Sequence, residues 1–158
     1  MTEEHKFLIF TLEGYYFGLN IAEVVRVYPA VAVERPGDCP DILCGLFRVA
    51  GKNIPVLDLR YRLHLPAREV TPDNALVVAL RQADEMAFFV DEVVEVRVFS
   101  ERELCDSGSI YPEMAEYVSW VTEMDGHTVW IYTVDLLFAE QDFSVLLKAC
   151  HWRDGETL

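Results

Sequence analysis

The chain repeats itself. Shifted by 69 positions and without a gap, Phe7-Leu8-Ile9-Phe10 lies over Leu76-Val77-Val78-Ala79, and Phe17-Gly18-Leu19 lies over Met86-Ala87-Phe88. The best-matched stretch is Ile21-Ala22-Glu23-Val24-Val25-Arg26-Val27 over Val90-Asp91-Glu92-Val93-Val94-Glu95-Val96. At slightly different offsets, Ile54-Pro55-Val56-Leu57-Asp58-Leu59 echoes Ile131-Tyr132-Thr133-Val134-Asp135-Leu136, each following a turn glycine, Gly51 or Gly126. Self-similarity of this kind restricts a chain to architectures assembled from like units. Two copies predict two similar lobes within one domain, seeded over residues 7–64 and 76–139.

The pattern inside each copy is that of strands. Phe7–Leu12 is apolar on both faces, which suits a buried strand rather than a surface helix. Glu13-Gly14 is a turn signal, and Tyr15–Leu19 returns as the second arm of a hairpin. Val94, Val96 and Val98 alternate with Glu95 and Arg97, the period of a half-buried strand. Many short strands separated by turns predict small barrels or sandwiches, an all-β class. Helix is expected in small amounts: one turn over Asp58–Leu63, and a stripe of Phe143, Leu146, Leu147 and Cys150 at helical spacing over about 140–151. That stripe is read as packing on the second lobe rather than as a recognition helix. Ser100–Glu116 reads as the longest irregular connection.

A chain of 158 residues is long enough for a real core, since about 68–70% of the unfolded surface is buried at this size. Its formal charge of −14, from 27 acids and 13 bases, repels phosphate backbones and anionic membranes, so nucleic acid is an unfavourable partner. The acidity itself is read as a source of solubility. The polar start Met1-Thr2-Glu3-Glu4-His5-Lys6 lacks the apolar core of a signal peptide. No apolar run approaches the roughly 20 residues of a membrane span. A cytoplasmic protein without membrane insertion is therefore expected, with Cys39, Cys44, Cys105 and Cys150 as reduced thiols.

Chemistry is hard to place on this sequence. His5, His64, His127 and His151 are scattered and lack metal-type partners at helical spacing, and Cys39 and Cys44 are too far apart for a CxxC pair, so no metal site is expected. The serines lack a GxSxG elbow. The glycines form neither a P-loop nor a dinucleotide fingerprint, so no cofactor is expected. Asp58 and Asp135 recur at matching strand ends and admit two readings, a carboxylate pair or caps of the turns that follow; their separation into different repeats favours caps. No enzymatic activity is expected.

The stretch Arg35-Pro36-Gly37-Asp38-Cys39-Pro40-Asp41-Ile42-Leu43-Cys44-Gly45-Leu46-Phe47-Arg48-Val49-Ala50-Gly51, leading into Ile54-Pro55-Val56-Leu57-Asp58-Leu59, resembles the signature of the CheW coupling proteins of bacterial chemosensory arrays. That signature runs P-G-x-P-x-x-(hydrophobic)-x-G, then N-x-R-G, then (I/L)-P-(V/L)-(V/F)-D-L. Phe7–Val27 is similar to the family's first hairpin and its V-x-E segment. Phe89-Val90-Asp91-Glu92-Val93-Val94-Glu95-Val96 is similar to its V-D-x-V-x-x-V block, and Tyr117-Val118 and Asp125-Gly126 through Leu137 to its closing strands. The resemblance covers about residues 5–140. It implies two intertwined five-stranded barrels of SH3-like type with a short C-terminal helix, a single domain over 5–152, and a non-enzymatic adaptor. The implied partners are a CheA-type histidine kinase and the cytoplasmic tip of a chemoreceptor.

The departures fall on the surface that the resemblance assigns to partners. The V-x-E acid reads Arg26 here, after Val24. N-x-R-G reads Arg48-Val49-Ala50-Gly51, so the usual Asn and Arg are both gone. The glycine that usually follows the Tyr-Ile pair is Trp120, while Gly45 and Gly51 are kept. Val24, Arg26, Gly45, Arg48, Ala50, Gly51 and Trp120 are accordingly the expected partner-binding residues. If Arg48–Ala50 is a strand, Arg48 restores on one face the positive charge that Ala50 lacks. A specialised member of the family fits these departures, and a module of the same fold that binds a small ligand or an unrelated protein is the alternative.

Overall fold

The computed structural model describes residues 4–35, 40–106 and 119–138. The first repeat forms β1 (Glu4–Leu12), β2 (Tyr15–Asn20), a 3-10 turn (Ile21–Glu23), β3 (Val24–Pro29), β4 (Leu43–Val49), β5 (Lys52–Leu57) and α1 (Leu59–Arg62). The second forms β6 (Ala75–Arg81), β7 (Asp84–Val90), β8 (Glu92–Ser100), a 3-10 turn (Glu101–Glu103), β9 (Cys105–Asp106), β10 (Trp120–Met124), β11 (His127–Tyr132) and α2 (Val134–Leu137). The expected C-terminal helix over about 140–151 lies outside the described residues. So does most of the Ser100–Glu116 connection, although its beginning is ordered as a 3-10 turn and β9.

Each sheet takes its strands from both repeats. One runs β8-β1-β2-β11-β10-β9 and the other β3-β6-β7-β5-β4. The first hairpin of each repeat thus joins the sheet of the other, through a parallel pairing of β2 with β11 in one case and of β7 with β5 in the other. The two orders are the same once β3 is matched with β8, and β4-β5 with β10-β11. Both sheets also wrap by one device. The edge strand runs on and pairs with the opposite edge: β8 continues into β9 against β10, and the chain after β3 bridges Glu34 to Leu46 of β4. The sixth strand of the larger sheet is this two-residue closure, and Glu34 is its counterpart in the five-stranded sheet.

The exchange explains why some strands are apolar on both faces. Phe7 and Ile9 of β1 point into a core inside the six-stranded sheet, with Phe99, Met124, Val129 and Ile131. Leu8, Phe10 and Leu12 point the other way, into a core shared by both sheets that includes Leu43, Leu57, Val77 and Phe88. β6 repeats the arrangement: Leu76 and Val78 serve the core of the five-stranded sheet, Val77 and Ala79 the shared one. Side chains alternate across a strand, so a strand lying between two cores must be apolar throughout. Phe10 is fully buried, with rings of Phe17 and Phe88 at 5.6 and 5.7 Å.

An ion cluster clasps the exchanged hairpin. Arg60 of α1 pairs with Glu13 at the β1–β2 turn and with Asp91 after β7, and Arg68 of the inter-repeat connection reaches the same Glu13. Asp91 also accepts from the Glu13 backbone N–H at 2.8 Å, and Asn74 donates to the Asp91 carbonyl at 3.2 Å. The Arg68 and Arg60 guanidiniums hold the Glu13 carboxyl below the usual carboxylate range. Its contribution to stability is present above its unfolded pKa and is lost as pH falls through the folded one.

The helices show where the sequence echo was out of step. Asp58 caps α1 as expected, accepting from Tyr61 N–H at 3.0 Å. At α2 the cap is Thr133, whose hydroxyl accepts from Leu136 N–H at 3.2 Å. Asp135 lies inside that turn and pairs instead with Arg81 at 2.8 Å, so the cap reading fails for Asp135. Aligned on the turn glycines Gly51 and Gly126, Asp58 matches Thr133; the Asp-Leu echo had slipped by two residues. α1 ends in a Schellman pattern, with His64 N–H to Tyr61 carbonyl and Leu65 N–H to Arg60 carbonyl. His64 holds the left-handed position at φ 59°, where Gly is preferred by about 1 kcal/mol.

Glu23, at the crossing from β2 to β3, accepts from Val134 N–H at 3.3 Å while its other carboxylate oxygen is buried without a hydrogen-bond partner. Burial, and after it the nearby Asp135 charge, push its pKa up against the Val134 hydrogen bond. A raised folded-state pKa means stability that is present below the unfolded value and lost as pH rises through the folded one. Glu23→Gln is therefore expected to raise the urea midpoint at neutral pH, with the gain shrinking toward about pH 4 as the native carboxyl takes up its proton. A gain that is independent of pH contradicts the burial argument. Phe10→Ala is expected to cost about 3–5 kcal/mol and to leave one transition. Fluorescence, with Trp120 and Trp130 both in the six-stranded sheet, should melt together with far-UV circular dichroism; separate transitions mean that the sheets do not share their core.

Candidate functional site

β3 is an edge strand, hydrogen-bonded only to β6, and a bulge between Val24 and Arg26 turns successive side chains outward. Val25 and Val27 are left 45% and 37% exposed. Arg26 lies opposite Val78 and Tyr28 opposite Leu76, so both share the face that carries the core of the five-stranded sheet. The Arg26 guanidinium sits over the Tyr28 ring at 5.9 Å, within cation–π range. Tyr28 in turn meets the edge of Phe47 of β4 at 5.0 Å. This stack crosses the closure of the sheet from β3 to β4 and sets the Arg26 cation over its first ring.

Of the seven expected residues, the structure places six in the five-stranded sheet. Val24 is half-buried on β3 against the shared core. Gly45 is buried in β4, where an added Cβ would lie 2.8 Å from the Glu34 carbonyl oxygen and 2.9 Å from Val33 Cγ2. Its part in the fold is to let the Glu34 bridge close. Arg48 is exposed in β4 opposite Asn53, and Phe47 beside it lies opposite Ile54 in the core, so Arg48 and Arg26 come out on opposite faces. Ala50 and Gly51 are the two turn residues of the β4–β5 hairpin, at φ 51° and 76°. The idea that Arg48 and Ala50 share a strand face is corrected: the strand stops at Val49. Trp120, 37% exposed, is on β10 in the other sheet and shares no hydrogen-bonded neighbour with the six.

Sequence reasoning missed Tyr28 and Phe47, which hold Arg26, and the outward Val25 and Val27. For the valines the residue pattern points the other way: the alternation of Val94, Val96 and Val98 reads as the apolar face of a half-buried strand. That reading is corrected, since Val96 and Val98 of β8, the strand matched with β3 in the repeat, are 50% and 41% exposed. An edge strand with unburied valines is unusual on a surface free of partners. Among the described residues no group of three or more His, Cys, Asp or Glu could hold a metal ion, and no helix is long and apolar enough to cross a membrane.

The model of the CheW-like domain family matches residues 6–142. The chain belongs to that family. Its similarity to the chemotaxis protein CheW of Bacillus subtilis is 26% identity over 99 residues, 63% of this chain and 64% of the relative. With CheW of Klebsiella aerogenes it is 20% over 146 residues, 92% of this chain and 88% of the relative. The alignments thus span somewhat under two thirds of the first relative's length and most of the second's. The fold is that of the crystal structure of scaffolding protein TtCheW from Thermoanaerobacter tengcongensis, with TM-score 0.77 and 24% identity, covering 86% of this chain and 93% of that one. The all-β, two-lobed architecture inferred from the repeat is borne out. CheW-like proteins are non-catalytic adaptors, in agreement with the reading of a chain without chemistry of its own.

The turn and the closure give opposite expectations for two of these residues. Ala50→Asn places a residue that tolerates positive φ in a two-residue hairpin turn and should stabilise by about 0.5–1 kcal/mol. Gly45→Ala pushes a methyl into backbone and should destabilise by about 1–3 kcal/mol. Chemical denaturation of both variants checks the pair, and a stabilised Gly45→Ala would mean that the Glu34 bridge is not needed.

Proposed function

We propose that this chain is a coupling adaptor that joins a CheA-type histidine kinase to the cytoplasmic tip of a chemoreceptor, and that it works in the cytoplasm. The observation that carries the reading is family membership over 6–142, together with an edge strand that presents apolar side chains around a clamped cation. Apolar patches rimmed by polar groups are what protein partners use. The kinase contact is assigned to exposed strand ends of one lobe, and the receptor contact to the rim formed by the β3 edge and the β4–β5 hairpin, with Arg26 on one face of the sheet, Arg48 on the other and Ala50 in the turn.

The member is a specialised one. With Arg26 where the family carries an acid, an Arg at position 50 would add a second cation, and Ala50 avoids that. Specificity often rests on a repulsive element as much as on an attractive one, so the surface is read as selecting a receptor with matching acids and rejecting ordinary ones. Ala50 already occupies a left-handed turn position, so Ala50→Arg adds no backbone strain that alanine does not carry.

Two measurements test this. The purified chain is expected to bind the regulatory domain of a CheA homologue from the same cell, with a dissociation constant of about tens of micromolar or tighter; no binding there removes the kinase half of the reading. The double variant Arg26→Glu with Ala50→Arg is expected to lose affinity for the native receptor and gain it for a standard one. Changes under about 0.5 kcal/mol in both, the range of inert surface substitutions, remove these positions from the specificity surface.

A further inference from the structure

We propose that Tyr28 is a positioning residue that holds the Arg26 guanidinium for a single side-chain carboxylate of the receptor, a step that rests on the receptor contact assigned above. The second lobe carries the counterpart. On the 69-residue shift Arg26 matches Glu95 and Tyr28 matches Arg97. The strand pairings agree: Arg26 and Tyr28 lie opposite Val78 and Leu76, and Glu95 and Arg97 lie opposite Ile9 and Phe7, which the same shift brings onto Val78 and Leu76. The irregular step between Val24 and Arg26 also has its equivalent, between Val93 and Glu95. At the closing turns, aligned on Gly51 and Gly126, Ala50 matches Asp125.

In the second lobe these three places hold a cation together with its own acids. Arg97 donates to both carboxylate oxygens of Glu95, at 2.9 and 3.0 Å, and to Asp125 at 3.1 Å. The Arg97 hydrogen bonds hold the Glu95 carboxyl below the usual carboxylate range. The first lobe has a cation, a ring and a methyl group instead. The Arg26 side chain is exposed and makes neither a hydrogen bond nor an ion pair among the described residues. The chain has 27 acids against 13 bases, yet none of the described acids reaches Arg26.

A guanidinium favours a carboxylate, which it can take on two parallel N–H bonds, and the Arg97–Glu95 pair displays that geometry within this fold. Exposed ion pairs gain little, in part because two long side chains must be ordered. The attraction between Arg26 and the Tyr28 ring, at 5.9 Å, favours one placement of the cation before a partner arrives. Tyr28 itself packs edge-on against Phe47 at 5.0 Å. Preorganisation of this kind lowers the ordering cost of the contact. A second copy of the chain does not supply the acid from its matching surface, where Glu95 and Asp125 are taken by Arg97.

The test titrates the cytoplasmic-tip fragment of the native receptor into the intact chain and its variants, with NMR of the free chain alongside. Nuclear Overhauser contacts are expected between the Tyr28 ring and the Arg26 side chain. Arg26→Lys keeps the charge, loses the planar fork and should weaken binding about fivefold; Arg26 is exposed, so this variant keeps its fold even if Tyr28→Leu does not. Tyr28→Leu should weaken binding about three- to fivefold, the worth of an exposed cation–π contact, whereas Tyr28→Phe keeps the ring and should stay within about twofold. In an Arg26→Gln background Tyr28→Leu should have no further effect, a coupling that a merely structural residue does not show. Wild-type affinity in Arg26→Lys or Tyr28→Leu, a Tyr28→Phe variant as weak as Tyr28→Leu, an undiminished loss in the Arg26→Gln background, or missing ring contacts would overturn the inference and leave the receptor reading standing. A wild-type chain that binds no receptor fragment from its own cell removes that reading, and this inference with it.

Discussion

Everything in this fold rests on two strands that have no polar side. β1 and β6 each stand between a core of their own sheet and the core common to both, and either face alone would be left in water if the neighbouring sheet were absent. The shared cluster around Phe10, Phe88 and Leu57 is therefore less an interface between finished lobes than the condition for having lobes at all. Buried apolar area is the dominant favourable term in folding, and here its largest continuous piece belongs to neither sheet alone. The Arg60–Glu13–Asp91 clasp adds direction to that non-directional attraction, since it holds the tip of the first hairpin against the helix of its own repeat.

The surface proposed for partners is a by-product of the same geometry. Wrapping each sheet by running its edge strand across to the far side leaves β3 and β8 with one hydrogen-bonded neighbour apiece. On β3 a bulge then turns valines and Arg26 outward, and the cation lies over Tyr28, whose ring meets Phe47 across the closure. The surface proposed for a partner is thus built on strands, and a preordered surface reduces the ordering cost of association.

Much of this was legible in the residues. The gapless repeat and the double-faced run Phe7–Leu12 sufficed for an all-β, two-lobed chain, and Asp58 was correctly seen as a cap. The exchange of hairpins was not legible from pattern alone, because a strand's period tells which faces are buried and not which strand lies alongside; it came only with the family resemblance. Asp135 misled for a related reason. A short echo, Asp-Leu after an apolar run, can slip by two residues without disturbing the alternation, and only the turn glycines fix the register. Tyr28 and Phe47 were invisible as a pair because 18 intervening residues and a sheet closure separate them.

The hairpin exchange also sets a timetable for synthesis. Of the described strands, β1 and β2 are synthesised before the others, yet their neighbours in the finished sheet are β8 and β11, whose last residue is Tyr132. The five-stranded sheet can assemble once β7 is out, while the opening hairpin, apolar on both faces, must wait for nearly all of the described chain. Pairings between distant segments are slow to form and leave apolar edges open meanwhile. Nascent or truncated chains of this protein are thus natural clients for chaperones, and the N-terminal hairpin is the segment that they have reason to hold.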